Sequence, residues 1–256
     1  MIPAGHITRW AKQAPWPTRE QIEQDLVLSR LIVEIASHPL LGDELVFRGG
    51  TCLHKLHLPT PRRYSEDLDY VRVTSSGIGP VLDALREVGD LLDLEARTQV
   101  SQHPKVQFRG TFSSGASMRV KVEINTYETS PARSLIRLPY SVDSPWWSGQ
   151  AEVHTFSSPE LVATKLRALH QRRKGRDLFD LWLALTEMRL DPAEIVACFA
   201  PYRPDGYDCA AAEATLAEHV RHAGFRGDLA ALSEVPGDYD IDTAADLITT
   251  ELLARL

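Results

Sequence analysis

Apolar positions along this chain change period more than once, and the changes mark out its elements. From Thr18 onward, Ile22, Leu26, Ile32, Val33 and Ile35 recur at roughly helical spacing. Thr18, with Gln21 at the capping-box position, predicts a helix that stops near His38-Pro39. Ahead of it, Pro3, Pro15 and Pro17 with Trp10 and Trp16 suggest an irregular arm or a short helix. Leu45-Val46-Phe47 reads as a short strand running into Gly49-Gly50. Thr51 to Leu58 reads as a helical turn or two, ended by Pro59 and Pro61. Arg63 to Val73 then alternates as a strand. Successive strand side chains point to opposite faces, so Arg63, Ser65, Asp67 and Asp69 are expected on one side, with Leu68 and Tyr70 on the other.

Pro80 can open the next helix, whose apolar stripe is Leu82, Leu85, Val88, Leu91 and Leu92. Val100 to Phe112 and Met118 to Tyr127 predict two strands joined by the tip Ser113-Ser114-Gly115-Ala116-Ser117. Arg119 to Asn125 alternates cleanly, with its polar positions on the face of Glu123. Residues 129–150 read as a Pro- and Ser-rich connector, and His154-Thr155-Phe156 as a last short strand. After Ser158, an N-cap candidate followed by Pro159 and Glu160, the signal is helical: Leu161, Val162, Leu166 and Leu169 share a face. Gly175 interrupts, a second helix begins near Arg176-Asp177, and more are expected near 191–200, 208–222 and 242–255. The division predicted is an α+β chain, with an α/β part over 1–155 and a helical part over 156–256.

Composition narrows the class. With 256 residues, 43% apolar and 25% charged, the chain suits one large domain or two modest ones with an ordinary globular core. Its three cysteines, Cys52, Cys198 and Cys209, form no C-x-x-C pair, which argues against a disulfide framework or thiolate zinc site and suits a reducing cytoplasm. No apolar run approaches the roughly 20 residues that cross a bilayer. The first ten residues lack the apolar stretch of a signal peptide. The expectation is a cytoplasmic protein without a membrane partner. A net charge of −7 speaks against a protein that coats nucleic acid, though a local basic patch can still grip RNA.

Several groups carry chemistry. Asp67 and Asp69, two carboxylates on one strand face, can hold a hard divalent cation, although a lone D-x-D is ordinarily a solvated strand face. Gly49-Gly50 between a strand end and a helix start lets backbone N–H groups approach a polyphosphate, and Thr51 can add a hydroxyl. Lys55, one turn on, reads as supporting or solvated rather than as a ligand. Glu123 on a half-buried strand can complete a two-cation site and activate an attacking hydroxyl. Between Lys165 and Arg176 six cations fall within twelve residues: Lys165, Arg167, Arg172, Arg173, Lys174 and Arg176. Such a run is usually a solvated helix face, but here it can neutralise triphosphate or RNA. Lys165 shares the apolar face of Leu161 and Leu169, so it points inward. A metal clamp beside a phosphate cradle is the equipment of phosphoryl or nucleotidyl transfer.

Four segments in order, R-G-G-T-C-L-H-K (48–55), R-Y-S-E-D-L-D (63–69), K-V-E-I (121–124) and S-P-E-L-V-A-T-K-L-R-A-L-H-Q-R-R-K-G-R-D-L-F-D-L (158–181), resemble the AbiEii/MenT family of nucleotidyltransferase toxins, within the DNA polymerase β-like superfamily. The resemblance spans about residues 45–185. It implies a nucleotidyltransferase-like mixed β-sheet core with flanking helices and a C-terminal helical part. It implies Mg²⁺ on Asp67 and Asp69, nucleotide contacts at Gly49 and Gly50, and a catalytic Lys and Asp at Lys165 and Asp177, with Asp180 the competing choice; Thr51, Ser65 and Lys165 are expected to join the nucleotide contacts. The superfamily's third acid is commonly Asp where this chain has Glu123. The activity implied is transfer from an NTP to an RNA acceptor, the tRNA 3′ end, with blocked translation and a cognate antitoxin. Arg172, Arg173, Lys174 and Arg176 would grip the RNA. Two alternatives stand beside it: transfer to a small-molecule or protein hydroxyl, and a non-catalytic nucleotide- or RNA-binding module. A kinase is disfavoured, because neither a G-x-G-x-x-G loop nor an H-R-D-type loop is present.

Overall fold

The structure, a computed structural model, describes residues 2–101, 103–128, 130–232 and 237–256. The chain forms two compact units, Met1–Thr129 with Leu135–Phe156, and Ser130–Ser134 with Ser157–Leu256.

The first unit runs α1 (Ala4–Trp10), α2 (Arg19–Ser37), α3 (Leu41–Glu44), β1 (Leu45–Arg48), α4 (Gly49–Cys52), a π turn (Leu53–His57), β2 (Asp67–Arg72), α5 (Gly79–Leu91), β3 (Glu95–Gln99), β4 (Lys105–Thr111), β5 (Ser117–Asn125), β6 (Ile136–Asp143) and β7 (Ser148–Thr155). Among the described residues these strands make one seven-stranded sheet in the order β3-β4-β5-β2-β1-β7-β6. It is mixed: β2 pairs parallel with β5 and β1 with β7, and the other pairings are antiparallel. The α+β mixed-sheet expectation therefore holds. Helix α2 begins with the predicted capping box, the Thr18 and Gln21 side chains each bonding the other's backbone N–H. Helix α5 lies on the face that carries Phe108, because a Cβ at Gly89 would sit 2.7 Å from that ring. Val106, Phe108, Val120, Val122 and Ile124 form the strand side of this core, each at most 1% exposed.

Several boundaries moved. The strand expected over 63–73 is ordered only from Asp67, and Arg63 is buried instead of alternating outward. The strand expected over 100–112 starts at Lys105, with an unforeseen strand β3 before it; Gln102 lies outside the described residues. Most of the 129–150 connector, whose first residue is likewise outside them, is the β6–β7 hairpin. Pro139 hid that strand, yet β6 is the sheet's edge, where a residue without an N–H is tolerated. Leu91, placed on the apolar stripe of α5, is 60% exposed.

The second unit contains α6 (Ser158–Gln171), α7 (Gly175–Thr186), α8 (Pro192–Phe199), α9 (Cys209–Val220), α10 (Ala223–Arg226) and α11 (Ile241–Glu251). The N-cap of α6 is Ser157, not Ser158. The break and second helix start expected at Gly175–Asp177 are present, with Gly175 the first residue of α7; a Cβ there would meet the Phe225 carbonyl oxygen at 2.2 Å. Glu160, expected only as a first-turn acid, is fully buried and accepts from the Ala132 N–H, the Arg133 N–H and the Tyr202 hydroxyl. Phe179, Trp182 and Tyr239 form an aromatic cluster with centroids 4.9–5.9 Å apart.

A buried polar knot ties the N-terminal arm of the first unit to its glycine turn. Asp25 on α2, 1% exposed, accepts from the indole N–H groups of Trp10 and Trp16 at 2.8 Å each. Lys55, on the π turn, donates to Asp25 at 2.6 Å and to Ser29 at 2.9 Å. Lys55 is thus structural, as its supporting role anticipated. Burial lowers its pKa, but Asp25 outweighs that and holds it above the ordinary 10.5. While Asp25 is ionised, the contribution of Lys55 is therefore fully present below that ordinary value and fades as pH climbs through the raised one. Asp25→Ala, which strands a buried ammonium and two indole donors, is expected to cost about 3–5 kcal/mol, read as a lower urea midpoint at unchanged slope.

Candidate active site

β1 delivers the chain into the glycine turn, and the turn is shaped by what lies behind it. Gly49 has φ of 83°, a conformation side chains rarely adopt, and a Cβ there would lie 2.2 Å from Asp69 Oδ2. In register, Arg48 stands opposite Asp69. The carboxylate of Asp69 therefore occupies the space that any side chain at Gly49 would need. A Cβ at Gly50 would meet Arg63 Nη2 at 2.5 Å and Ser65 Oγ at 3.2 Å. Arg63 and Ser65 thus converge on the turn, although they precede the strand. Thr51, 1% exposed, donates its hydroxyl to the Asp67 carbonyl at 2.5 Å and lies 2.9 Å from Ser65 Oγ. Its hydroxyl fastens the turn to the acid strand. Arg48 is ion-paired with Glu128.

The sheet register sets the acids beside cations. Asp67 stands opposite Lys121 and Asp69 opposite Glu123, on parallel strands, so all four side chains share one face. Lys121 Nζ is 3.0 Å from Asp67 Oδ2 and 3.5 Å from Glu123 Oε1, and Lys105 Nζ is 2.6 Å from Glu123 Oε1. Burial pushes the Glu123 carboxyl up, but Lys105 and Lys121 outweigh it and hold it below its ordinary 4.5. Burial likewise lowers Lys121, and its bond to Asp67 outweighs that and raises it. Glu123, expected as a base, is thereby made a weak one.

Among the described residues no three or more His, Cys, Asp or Glu side chains gather closely enough to hold a metal ion. The Asp67–Asp69 pair still fits a hard cation. Both carboxylates are half-buried on one face beside a glycine turn. Magnesium typically takes one or two carboxylates and completes its shell with water and substrate phosphates. Glu123, expected as a third ligand, is ion-paired with Lys105.

The second unit collects the remaining candidates. Lys165, 4% exposed, lies 2.8 Å from Asp180 Oδ2 and 3.6 Å from Asp177 Oδ1, and both acids are fully buried. Both candidates for the functional acid therefore contact Lys165, with Asp180 the closer. Asp177 also accepts two bonds from the Arg172 guanidinium, at 2.7 and 2.8 Å. The expected RNA-binding run is largely self-paired: Arg173 with Glu218, and Lys174 and Arg176 with Asp228. Its open positive charge is smaller than the bare sequence suggests. What sequence reasoning missed is Lys105 and Lys121. Lys121 was visible by parity, two positions before Glu123 on the same face, but its strand neighbour was not.

A family model described as nucleotidyl transferase AbiEii toxin, Type IV TA system, matches residues 30–248. No curated protein sequence matches the chain. Among solved structures, MenT4, a nucleotidyltransferase toxin from Mycobacterium tuberculosis H37Rv, aligns with a TM-score of 0.51 at 17% identity, over 97% of this chain and 99% of that one. At that identity the likeness speaks for the fold alone. An antigenic nucleotidyltransferase-like protein from Paracoccidioides brasiliensis aligns at a TM-score of 0.39 and 20% identity, over 82% of this chain and 93% of that one. That likeness is too loose to carry an argument.

Two outcomes follow from the geometry. Gly49→Ala, which forces a side chain into a left-handed conformation and against Asp69, is expected to lose about 1–3 kcal/mol of stability, measured by urea unfolding. Lys105→Met is expected to raise the Glu123 carboxyl pKa, read by carbon-13 NMR titration, since the bond that lowers it is gone.

Proposed function

Because this chain belongs to the AbiEii nucleotidyltransferase toxin family, we propose that it transfers a nucleotidyl group from an NTP to the 3′ end of a tRNA, with Mg²⁺, and so blocks translation. In this reading it acts in the cytoplasm as the toxin of a toxin–antitoxin pair, opposed by a cognate antitoxin. No helix among the described residues is long and apolar enough to cross a membrane. The observation that carries the reading is the packing of Asp69 against Gly49. It puts a carboxylate within reach of phosphates cradled at the turn.

In the proposed reaction the acceptor's 3′-hydroxyl oxygen bonds to the α-phosphorus. The α–β phosphoanhydride bond breaks and pyrophosphate leaves. Such transfers depend mostly on positioning and charge stabilisation. Mg²⁺, held by Asp67 and Asp69, would neutralise charge on the phosphates. The backbone N–H groups of Gly49 and Gly50 bind phosphate oxygens, with Ser65 beside them. Thr51 holds the turn against β2. Glu123 orients Lys105 and Lys121 and takes up the hydroxyl proton only weakly. The further Lys and acid that the family resemblance assigns, Lys165 and either Asp177 or Asp180, are ion-paired within the second unit.

A second reading, transfer to a protein or small-molecule hydroxyl, is favoured by one observation: the basic run that argued for RNA is paired to its own unit's acids. The two separate when the protein is incubated with total cellular RNA, cell protein, each labelled NTP and Mg²⁺, beside an Asp69→Ala variant. The expected result is label in tRNA, reduced on the order of 100-fold or more without Asp69. Label in protein or small molecules selects the second reading. Absence of transfer to any acceptor overturns both.

A further inference from the structure

The sheet face that carries Asp67 and Asp69 does not end at β2. It continues across β5, where Arg119, Lys121 and Glu123 face Arg109, Gln107 and Lys105 of β4. Those in turn face Glu95, Arg97 and Gln99 of β3. Residues paired across strands share a face, and at about 4.8 Å per strand the surface extends about 14 Å from β2 to β3. The opposite face of the same strands is the buried core. This one is reached by solvent throughout: Glu95, Arg97, Gln99 and Arg119 are exposed and the others half-buried.

Its charge runs against the whole chain. On β3, β4 and β5 five cations, Arg97, Lys105, Arg109, Arg119 and Lys121, stand against two acids, Glu95 and Glu123; with Asp67 and Asp69 at its β2 end the face holds five cations to four acids, in a protein of net charge −7. Arg97, Lys105 and Lys121 have carboxylate partners. Arg109 donates to the Gln107 amide, and neither Arg109 nor Arg119 has a carboxylate partner among the described residues. Beyond the end of β5, Asn125 Oδ1 accepts the N–H groups of Tyr127 and Glu128 at 2.9 and 3.0 Å. The turn so made presents Tyr127, 58% exposed, with the His103 ring edge-on at 5.6 Å. Asp67 and Asp69 stand beside the middle of β5, between Arg119 and Tyr127.

We propose that this face is the docking track of the RNA acceptor, with its phosphates on Arg109 and Arg119 and an unpaired base stacked on Tyr127. The proposal rests on the RNA-acceptor reading above and moves the contact surface away from the self-paired run 172–176. On β3, β4 and β5 the paired positions of this face are all polar, without the apolar centre that a protein partner needs. Guanidinium groups without carboxylate partners at one end of β5 and a stackable ring at the other suit a single-stranded RNA end.

The test measures binding of fluorescently labelled tRNA to the full chain, without NTP, over a salt series. R109Q/R119Q is expected to weaken binding about tenfold or more and to lower the slope of log Kd against log salt by about two. Y127A is expected to weaken it on the order of tenfold with the slope unchanged, because stacking releases no counterions. All three side chains reach solvent, so thermal midpoints should stay at the wild-type value and exclude unfolding as the cause. RNA affinity and slope unchanged in both variants overturn the track, as does a loss seen only in R173Q/K174Q. So does intact RNA binding in R109Q/R119Q together with escape from an acidic antitoxin, which would make the face a protein interface. If the variants lose RNA binding but the wild type transfers no nucleotide, the track stands and the transferase reading falls. If the wild type transfers label to tRNA and the variants keep full RNA affinity, the reading stands and the track falls.

Discussion

A missing Cβ organises the first unit. Gly49 turns the chain through a left-handed conformation, and the Asp69 carboxylate fills the volume a side chain would have taken. Turn and acid strand are therefore positioned by one another. Arg63 and Ser65 close on Gly50 from the segment before β2, and the Thr51 hydroxyl pins the turn to the Asp67 carbonyl. From the other side, Lys55 anchors the π turn to Asp25, which also holds both tryptophans of the N-terminal arm. The turn is thus braced front and back. Such preorganisation lets fixed dipoles act without reorganising during reaction.

Charge pairing is the second theme. Four of the candidate acids are met by a nearby cation: Asp67 by Lys121, Glu123 by Lys105, Asp177 by Arg172 and Asp180 by Lys165. For the fully buried Asp177 and Asp180 this is a necessity, because an unpaired charge in the interior is costly. For the half-exposed Asp67 and Glu123 it is a choice with consequences. It leaves Glu123 a weak base and lets the lysines join the polar sheet face. The same rule consumes the basic run 172–176, whose partners Glu218 and Asp228 come from well along the chain.

Much of the fold was legible because it is local. The capping box of α2, the strand-to-glycine turn, the hairpin tip at Gly115 and the helix starting near Ser158 are each set by residues a few positions apart. The acid pair was legible for the same reason, since parity along β2 alone puts Asp67 and Asp69 on one side. The β6–β7 hairpin was not, because Pro139 reads as a breaker until the strand is known to lie at an edge. The lysines at the acids were half legible: parity gave Lys121 its face, but not its neighbour.

By itself the amino-acid order determined the periods, caps and turns, and with them which residues must share a face. Those depend on backbone sterics and on hydrogen bonds spanning a few residues. Only the tertiary structure decided which faces meet. The parallel pairing of β2 with β5 sets Lys121 against Asp67, and the helical packing sets Glu218 and Asp228 against the basic run. Coulomb energy depends on distance in space, and chain separation carries almost no information about that. So the shared face of Asp67 and Asp69 could be read from the sequence, while the charges set against it waited for the fold.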